Sequence, residues 1–96
     1  MSHKTPSGTT LRILQELKRH AEAAGLAGRV VQTTRSKPPV LVLVNPDARQ
    51  LSEEISCRER GVNDWWLHWS WGDPIGRATD TAGALAAIRR VLGTRT

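Results

Sequence analysis

Hydrophobic residues recur with a helical period near both ends of the chain and with a strand-like period between them. In residues 9–24, leucine, isoleucine and alanine return every three or four positions, as on one buried side of a helix. The same spacing returns in residues 81–92, and Gly93 then supplies a helix stop. The pattern therefore predicts one helix at each end of a structured domain.

Four segments between these helices have the length and composition of strands. They are residues 29–34, 40–44, 52–60 and 65–71. Turns rich in proline, glycine or asparagine separate them, and short connections favour antiparallel pairing of successive strands. We therefore predict an α+β domain of order α-β-β-β-β-α, with a four-stranded antiparallel meander and both helices packed on one face. The fourth strand would be an edge of that sheet.

The domain limits follow from the same pattern. Residues 1–8 are polar and contain Pro6 and Gly8, so we expect a disordered leader before the first helix. Residues 9–96 show no repeat and no linker, and they are enough for one hydrophobic core. We therefore predict a single domain over residues 9–96.

Residues 65–71, with the sequence WWLHWSW, hold all four tryptophans of a chain without tyrosine or phenylalanine. Strand alternation assigns one set of these side chains to the helix-covered face: Trp65, Leu67, Trp69 and Trp71. Trp66 and His68 fall on the other face, beside Arg58 and Arg60 of the preceding strand. Tryptophan and arginine are enriched where interfaces carry their binding energy, so these four residues form a candidate binding surface. In the alternative interpretation, Trp66 packs on arginine stems and contacts no partner.

The run DWWLHWSWGDPIGRATDTAGALAAIRRVLG combines an aromatic strand ending in W-S-W, a turn, and an alanine-rich helix with arginines in its last turn. It resembles a pattern in small actinobacterial α/β proteins of unknown function. The resemblance covers about the last third of the chain, together with the earlier strand VLVLVNP. It implies that the aromatic strand, the turn and the helix form one structural unit, and it implies no catalytic or binding residue.

Charge and cysteine content narrow the class of protein. The net charge of +5 comes from the N-terminal half, because residues 46–96 hold seven basic and seven acidic side chains. A basic half attracts nucleic acid or acidic partners, and it also keeps a protein soluble. A single cysteine, Cys57, excludes an internal disulfide, and the longest apolar run, residues 40–44, is too short for a bilayer. With no apolar leader segment, we expect a cytoplasmic protein without a membrane partner.

No motif for catalysis, metal binding or cofactor binding stands out. Cys57 and His68 lie on neighbouring strands, and the pairing register decides whether they share a face. The histidines, His3, His20 and His68, lack a ligand spacing such as H-x-x-x-H. The glycines occupy turns and helix stops instead of a phosphate-binding loop. We therefore expect no catalytic residue, no metal and no cofactor.

These observations favour a small non-catalytic protein-interaction module, such as an adaptor, a chaperone-like protein or a regulatory accessory protein. It would present a sheet face or edge to a protein partner or to a second copy of itself, as a homodimer. The alternative is a single-stranded nucleic-acid-binding protein that uses Trp66 and the neighbouring arginines. A small enzyme is a second alternative.

Overall fold

The part of the chain that the structure describes folds into two helices and five strands. The computed structural model describes residues 6–32, 34 and 36–93. In chain order the elements are α1 (Pro6–Ala23), β1 (Ala27–Val31), β2 (Val40–Asn45), β3 (Ala48–Gly61), β4 (Asp64–Trp69), β5 (Pro74–Arg77) and α2 (Thr81–Leu92). The predictions of an α+β chain, an antiparallel sheet and a helix at each end are confirmed.

The sheet is a meander in which each strand pairs antiparallel with the next, in the order β1-β2-β3-β4-β5. The prediction of four strands is wrong, because Pro74–Arg77 adds a fifth strand along β4. This segment reads PIGR, and proline and glycine are depleted in strands, so its composition indicated a turn. The fourth strand is consequently interior and not an edge.

The helices begin and end close to the predicted positions. α1 begins at Pro6, so residues 6–8 are its first turn and not part of a leader. Proline is tolerated there because a first-turn residue has no helical partner for an N–H group. Residues 1–5 of the predicted leader, with His3, lie outside the described residues. Within the described part of the chain, no helix combines the length and the hydrophobicity that a membrane span needs.

Both helices pack on the same face of the sheet. The core joins side chains from α1, α2 and three strands: Leu14, Leu17, Ala21, Leu41, Leu43, Ile55, Cys57, Leu67, Trp69, Ala84, Ile88 and Leu92. On each strand these residues alternate, so they share the face toward the helices. Burial of this apolar surface supplies the main favourable free energy of folding. The opposite face of the sheet carries neither helix, and we call it the open face.

A buried asparagine joins the end of β2 to the end of α2. The side-chain amide of Asn45 donates hydrogen bonds to the carbonyl oxygens of Leu92, at 2.8 Å, and Gly93, at 2.9 Å. The last carbonyls of a helix lack partners within the helix, so this amide satisfies groups that would otherwise be left unpaired. Its side-chain oxygen accepts the backbone N–H of Asp47 at 2.9 Å, which also fixes the turn into β3.

Candidate functional site

The register of the central strands brings Trp66 and three arginines together on the open face. Arg58 of β3 lies directly across from Trp66 of β4, and Arg77 of β5 lies across from it on the other side. Arg60 lies at an irregularity of the pairing between Glu59 and Gly61, so alternation does not set its direction, but its guanidinium reaches the ring of Trp66. We call these four residues the tryptophan–arginine surface.

The indole of Trp66 is held between guanidinium groups. The central carbon of the Arg60 guanidinium lies 4.5 Å from the ring centroid, and that of Arg77 lies 5.5 Å from it. Both cations are attracted by the electron-rich face of the ring. The indole Nε1 donates a hydrogen bond to Asp64 at 3.1 Å, and the same carboxylate oxygen is 3.8 Å from Nε of Arg77. These contacts fix the orientation of a half-buried tryptophan.

This surface is more basic than the composition of its half of the chain suggests. Residues 46–96 are neutral in total, yet the fold places three arginines around Trp66 with Asp64 as their near acidic neighbour. Among the described side chains, Arg58 and Arg60 form no ion pair. A guanidinium stacked on an aromatic ring keeps N–H groups in its plane for a carboxylate or phosphate.

His68, which the sequence placed on this surface, is buried. It points to the open face, across from Ser56, but only 6% of it is exposed. The pairing of β5 covers it, since His68 also lies across from Pro74. Its Nδ1 has no hydrogen-bond partner among the described residues. Burial, reinforced by the charges of Arg58 and Arg60, lowers the pKa of His68, while a hydrogen bond with the Trp66 backbone acts in the opposite direction.

The predicted environment of Trp71 is also wrong. Strand alternation assigned it to the core, but β4 ends at Trp69, so the pleat no longer sets its direction. Trp71 is 55% exposed and stacks on Trp69, with ring centroids 5.0 Å apart and an interplanar angle of 5°. Trp65 and Trp69 do contact the core, as predicted.

The structure separates the residues that could have formed a catalytic pair. Cys57 lies across from Leu67 in the core, whereas Ser56 lies across from His68, so the thiol and the imidazole point to opposite faces. Burial raises the pKa of Cys57 to about 11, which keeps the thiol protonated and unreactive. Among the described residues, no three histidine, cysteine or acidic side chains are grouped to hold a metal ion.

The open face continues across β2 as an apolar stripe that the sequence analysis missed. Val40, Val42 and Val44 are half-buried there, whereas Leu41 and Leu43 between them are buried in the core. A shallow depression of about 300 Å³ lies beside Val42 and Val44, with Arg29 and Arg49 at its rim. The predicted topology already implied this stripe, because two helices on one face of the sheet leave the alternate valines of β2 uncovered on the other face.

Comparison with known proteins adds nothing to this geometry. The chain matches no family model, no curated protein and no solved structure. The resemblance of its last third to small actinobacterial proteins therefore stays a prediction. Fold and site together define a small α+β protein whose sheet has one helix-covered face and one open face.

Proposed function

We propose that this chain is a cytoplasmic, non-catalytic protein-interaction module that uses the open face of its sheet, and that its first partner is a second copy of itself. The observation that carries the proposal is the half-buried Trp66, held between Arg60 and Arg77 on a face that neither helix covers. An oriented aromatic with arginines around it is typical of the centre of a protein interface.

The arrangement supports a protein partner more than a stacked base. Base stacking needs an open aromatic face, whereas arginines from the strands on both sides of β4 lie over Trp66. The same face also carries the valines of β2, and apolar area of this kind is buried by another protein surface. A suitable partner therefore presents apolar side chains with carboxylates among them.

The long strand β3 supports a second copy as that partner. On the open face its side chains follow the order Ser52, Glu54, Ser56, Arg58, Arg60. A two-fold axis that lies between the two sheets, above Ser56 and perpendicular to β3, would place Glu54 of one copy over Arg58 of the other, twice in the dimer. Homodimers commonly use such self-complementary patches, and two packed sheets lie close enough, about 10 Å apart, for these side chains to meet.

Sedimentation velocity of the purified chain over a range of micromolar concentrations tests the proposal. We expect a dimer that Trp66→Ala weakens by about 30-fold or more, because a central interface tryptophan contributes roughly 2 kcal/mol or more. Trp71→Ala is the matched control, since it removes an exposed tryptophan that lies outside the open face. A chain that stays monomeric throughout, or equal effects of the two variants, would contradict the proposal.

A second candidate, single-stranded nucleic-acid binding, is favoured by one observation: the three arginines around Trp66. Phosphate contacts release counterions, so such binding weakens steeply with salt. A labelled oligothymidylate whose anisotropy rises with the parent chain at low salt, and far less with Arg58→Gln/Arg60→Gln, would replace the first proposal by this one.

A further inference from the structure

A groove runs between α1 and the edge strand β1, away from the tryptophan–arginine surface. Its volume is about 600 Å³, within the range of ~300–1,000 Å³ that is usual for ligand clefts. Of the described residues, four cations and one carboxylate line it: Arg12, Lys18, Arg19, Arg29 and Glu16. The groove is therefore basic, and none of the four residues of the tryptophan–arginine surface lines it.

The one described carboxylate that lines this groove, that of Glu16, already has partners within α1. Glu16 accepts a hydrogen bond from Arg19 and lies 3.2 Å from Nε2 of His20. These two contacts, with the hydrogen bond from Arg19 as the largest cause, lower the pKa of Glu16 and keep it ionised. Lys18 has an ion pair with Glu22 at 3.0 Å, whereas Arg12 and Arg29 form none among the described residues. The guanidinium of Arg12 is thus available to an anionic ligand on the α1 side of the groove. Arg29 borders the groove from β1, but it lies across from Val42, so its side chain points to the open face.

The floor of the groove is an unpaired strand edge. In the described part of the chain β1 pairs with β2 alone, so alternate N–H and C=O groups along its outer edge lack strand partners. Gly28 lets α1 approach closely, because a Cβ atom there would lie 2.9 Å from Leu43 and 3.3 Å from the stem of Lys18. The other edge, β5, is short and begins with Pro74, which makes it a poor template.

Backbone groups and positive charge together select the ligand. β1 has five residues, so its edge is about 17 Å long and matches an extended peptide of similar length. Nucleic acid offers no strand of amides to pair with it. A second copy of β1 would bring the two sets of cations together, which like-charge repulsion opposes.

We infer that the α1–β1 groove binds an extended acidic peptide segment of another protein, which joins the sheet beside β1 as a sixth strand. Main-chain hydrogen bonds would give the affinity, as in other cases of strand addition, and the cations of α1 would select glutamate or aspartate side chains. This site is separate from the open face, so it goes beyond the proposed dimer.

Fluorescence anisotropy with a fluorescein-labelled ten-residue peptide of alternating glutamate and threonine tests the inference. We expect saturable binding that Arg12→Gln/Arg19→Gln weakens about five- to tenfold, because the change removes the free Arg12 guanidinium and leaves the Glu16 carboxylate without its arginine partner. Arg58→Gln/Arg60→Gln is the matched control, because it removes the same charge from the open face; it should bind the peptide within about twofold of the parent chain. Amides of β1 should exchange more slowly in the complex.

A second peptide separates strand addition from charge attraction. The same sequence with alternate backbone amides N-methylated keeps its carboxylates but cannot pair along one edge, so it should bind at least about tenfold more weakly. Equal binding of the methylated peptide, or of an oligothymidylate of the same charge, would overturn the inference. Equal losses in both arginine variants would also overturn it. Sedimentation of Arg12→Gln/Arg19→Gln shows whether self-association is retained, so failure of the groove and failure of the dimer are distinguishable.

Discussion

The four tryptophans of this chain occupy four different environments. Trp69 is 8% exposed within the core, and Trp65 packs partly against it. Trp66 lies between two guanidinium groups on the open face, and Trp71 is exposed and stacked on Trp69. Tryptophans in such different surroundings contribute unequally to folding, because the free energy gained depends on the apolar area that leaves water.

Truncation of Trp69 and of Trp66 should therefore have unequal effects on the free energy of unfolding. Trp69→Ala should cost roughly 3–5 kcal/mol, since it removes buried area and leaves a cavity. A small domain has only about 5–15 kcal/mol in total, so this variant should be barely folded. Trp66→Ala should cost about 1 kcal/mol, as is typical of a partly exposed side chain. Thermal melts at equal protein concentration measure both; a larger loss for Trp66→Ala would show that the faces are assigned wrongly.

The buried His68 should make stability depend on pH near neutrality. Because its pKa is lowered in the folded chain, the unfolded chain, with a histidine pKa of about 6.5, binds the proton more readily. Its contribution to stability is therefore complete above about pH 6.5 and is lost as the pH falls through that value toward the folded-state pKa.

Urea unfolding between pH 7.5 and 5.5 measures this effect. The parent chain should lose stability toward pH 5.5, and His68→Gln should remove most of that dependence. His20→Gln, which removes an exposed imidazole from α1, is the matched control. If His20→Gln abolishes the pH dependence and His68→Gln retains it, the interpretation of His68 is wrong.

At the scale of the elements, the four-residue strand β5 determines several features of the candidate site. It turns β4 into an interior strand, covers His68 through Pro74, and supplies Arg77 to the ring of Trp66. Its partly buried Ile75 packs against the core, and the strand leads directly to α2. The candidate site therefore depends on the turn that returns the chain from β4 to β5.

The turn between β4 and β5 should be sensitive to substitution at Gly72, whereas β5 itself should tolerate substitution at Gly76. Gly72 has a φ of 102°, a conformation that side chains rarely adopt, so Gly72→Ala should cost about 1–2 kcal/mol although nothing lies within 4 Å of a new Cβ. Gly76→Ala, in β5 and equally open, should be neutral or stabilise by about 0.4–1 kcal/mol. Chemical unfolding of the two variants checks the difference, and equal effects would contradict a strained turn.

Hydrophobic periodicity predicted the elements that bury only one side and are long enough for the pattern to repeat. The two helices, the β3–β4 hairpin and the face of Trp69 all follow from spacing alone. β5 did not, because two of its four residues are proline and glycine, and pairing with β4 outweighs their low strand propensity. The burial of His68 and the exposure of Trp71 then escaped prediction for one reason: both depend on how β4 ends and what pairs with it.

At the scale of the whole molecule, the sheet has one helix-covered face and one open face. Two helices are enough to cover one side of a five-stranded sheet, and the other side keeps the β2 valines and the tryptophan–arginine surface at its boundary with water. Composition predicted a neutral C-terminal half, because residues 46–96 hold equal numbers of basic and acidic side chains. The net charge of a chain segment does not give the net charge of a surface, because the fold brings together residues that are distant in the sequence. Antiparallel pairing is what brings three arginines from β3 and β5 to one indole.

We propose that the open face recognises a second copy through the alternating side chains of β3. The most direct test is sedimentation velocity of Glu54→Arg, of Arg58→Glu, and of the double variant carrying both changes. Each single change places like charges opposite each other twice in the dimer, so it should weaken association at least about tenfold. The double variant restores the opposite-charge pairs and should associate within about threefold of the parent chain. Recovery in the double variant is the predicted result; single variants that dimerise normally, or a double variant that stays monomeric while folded, would contradict the account.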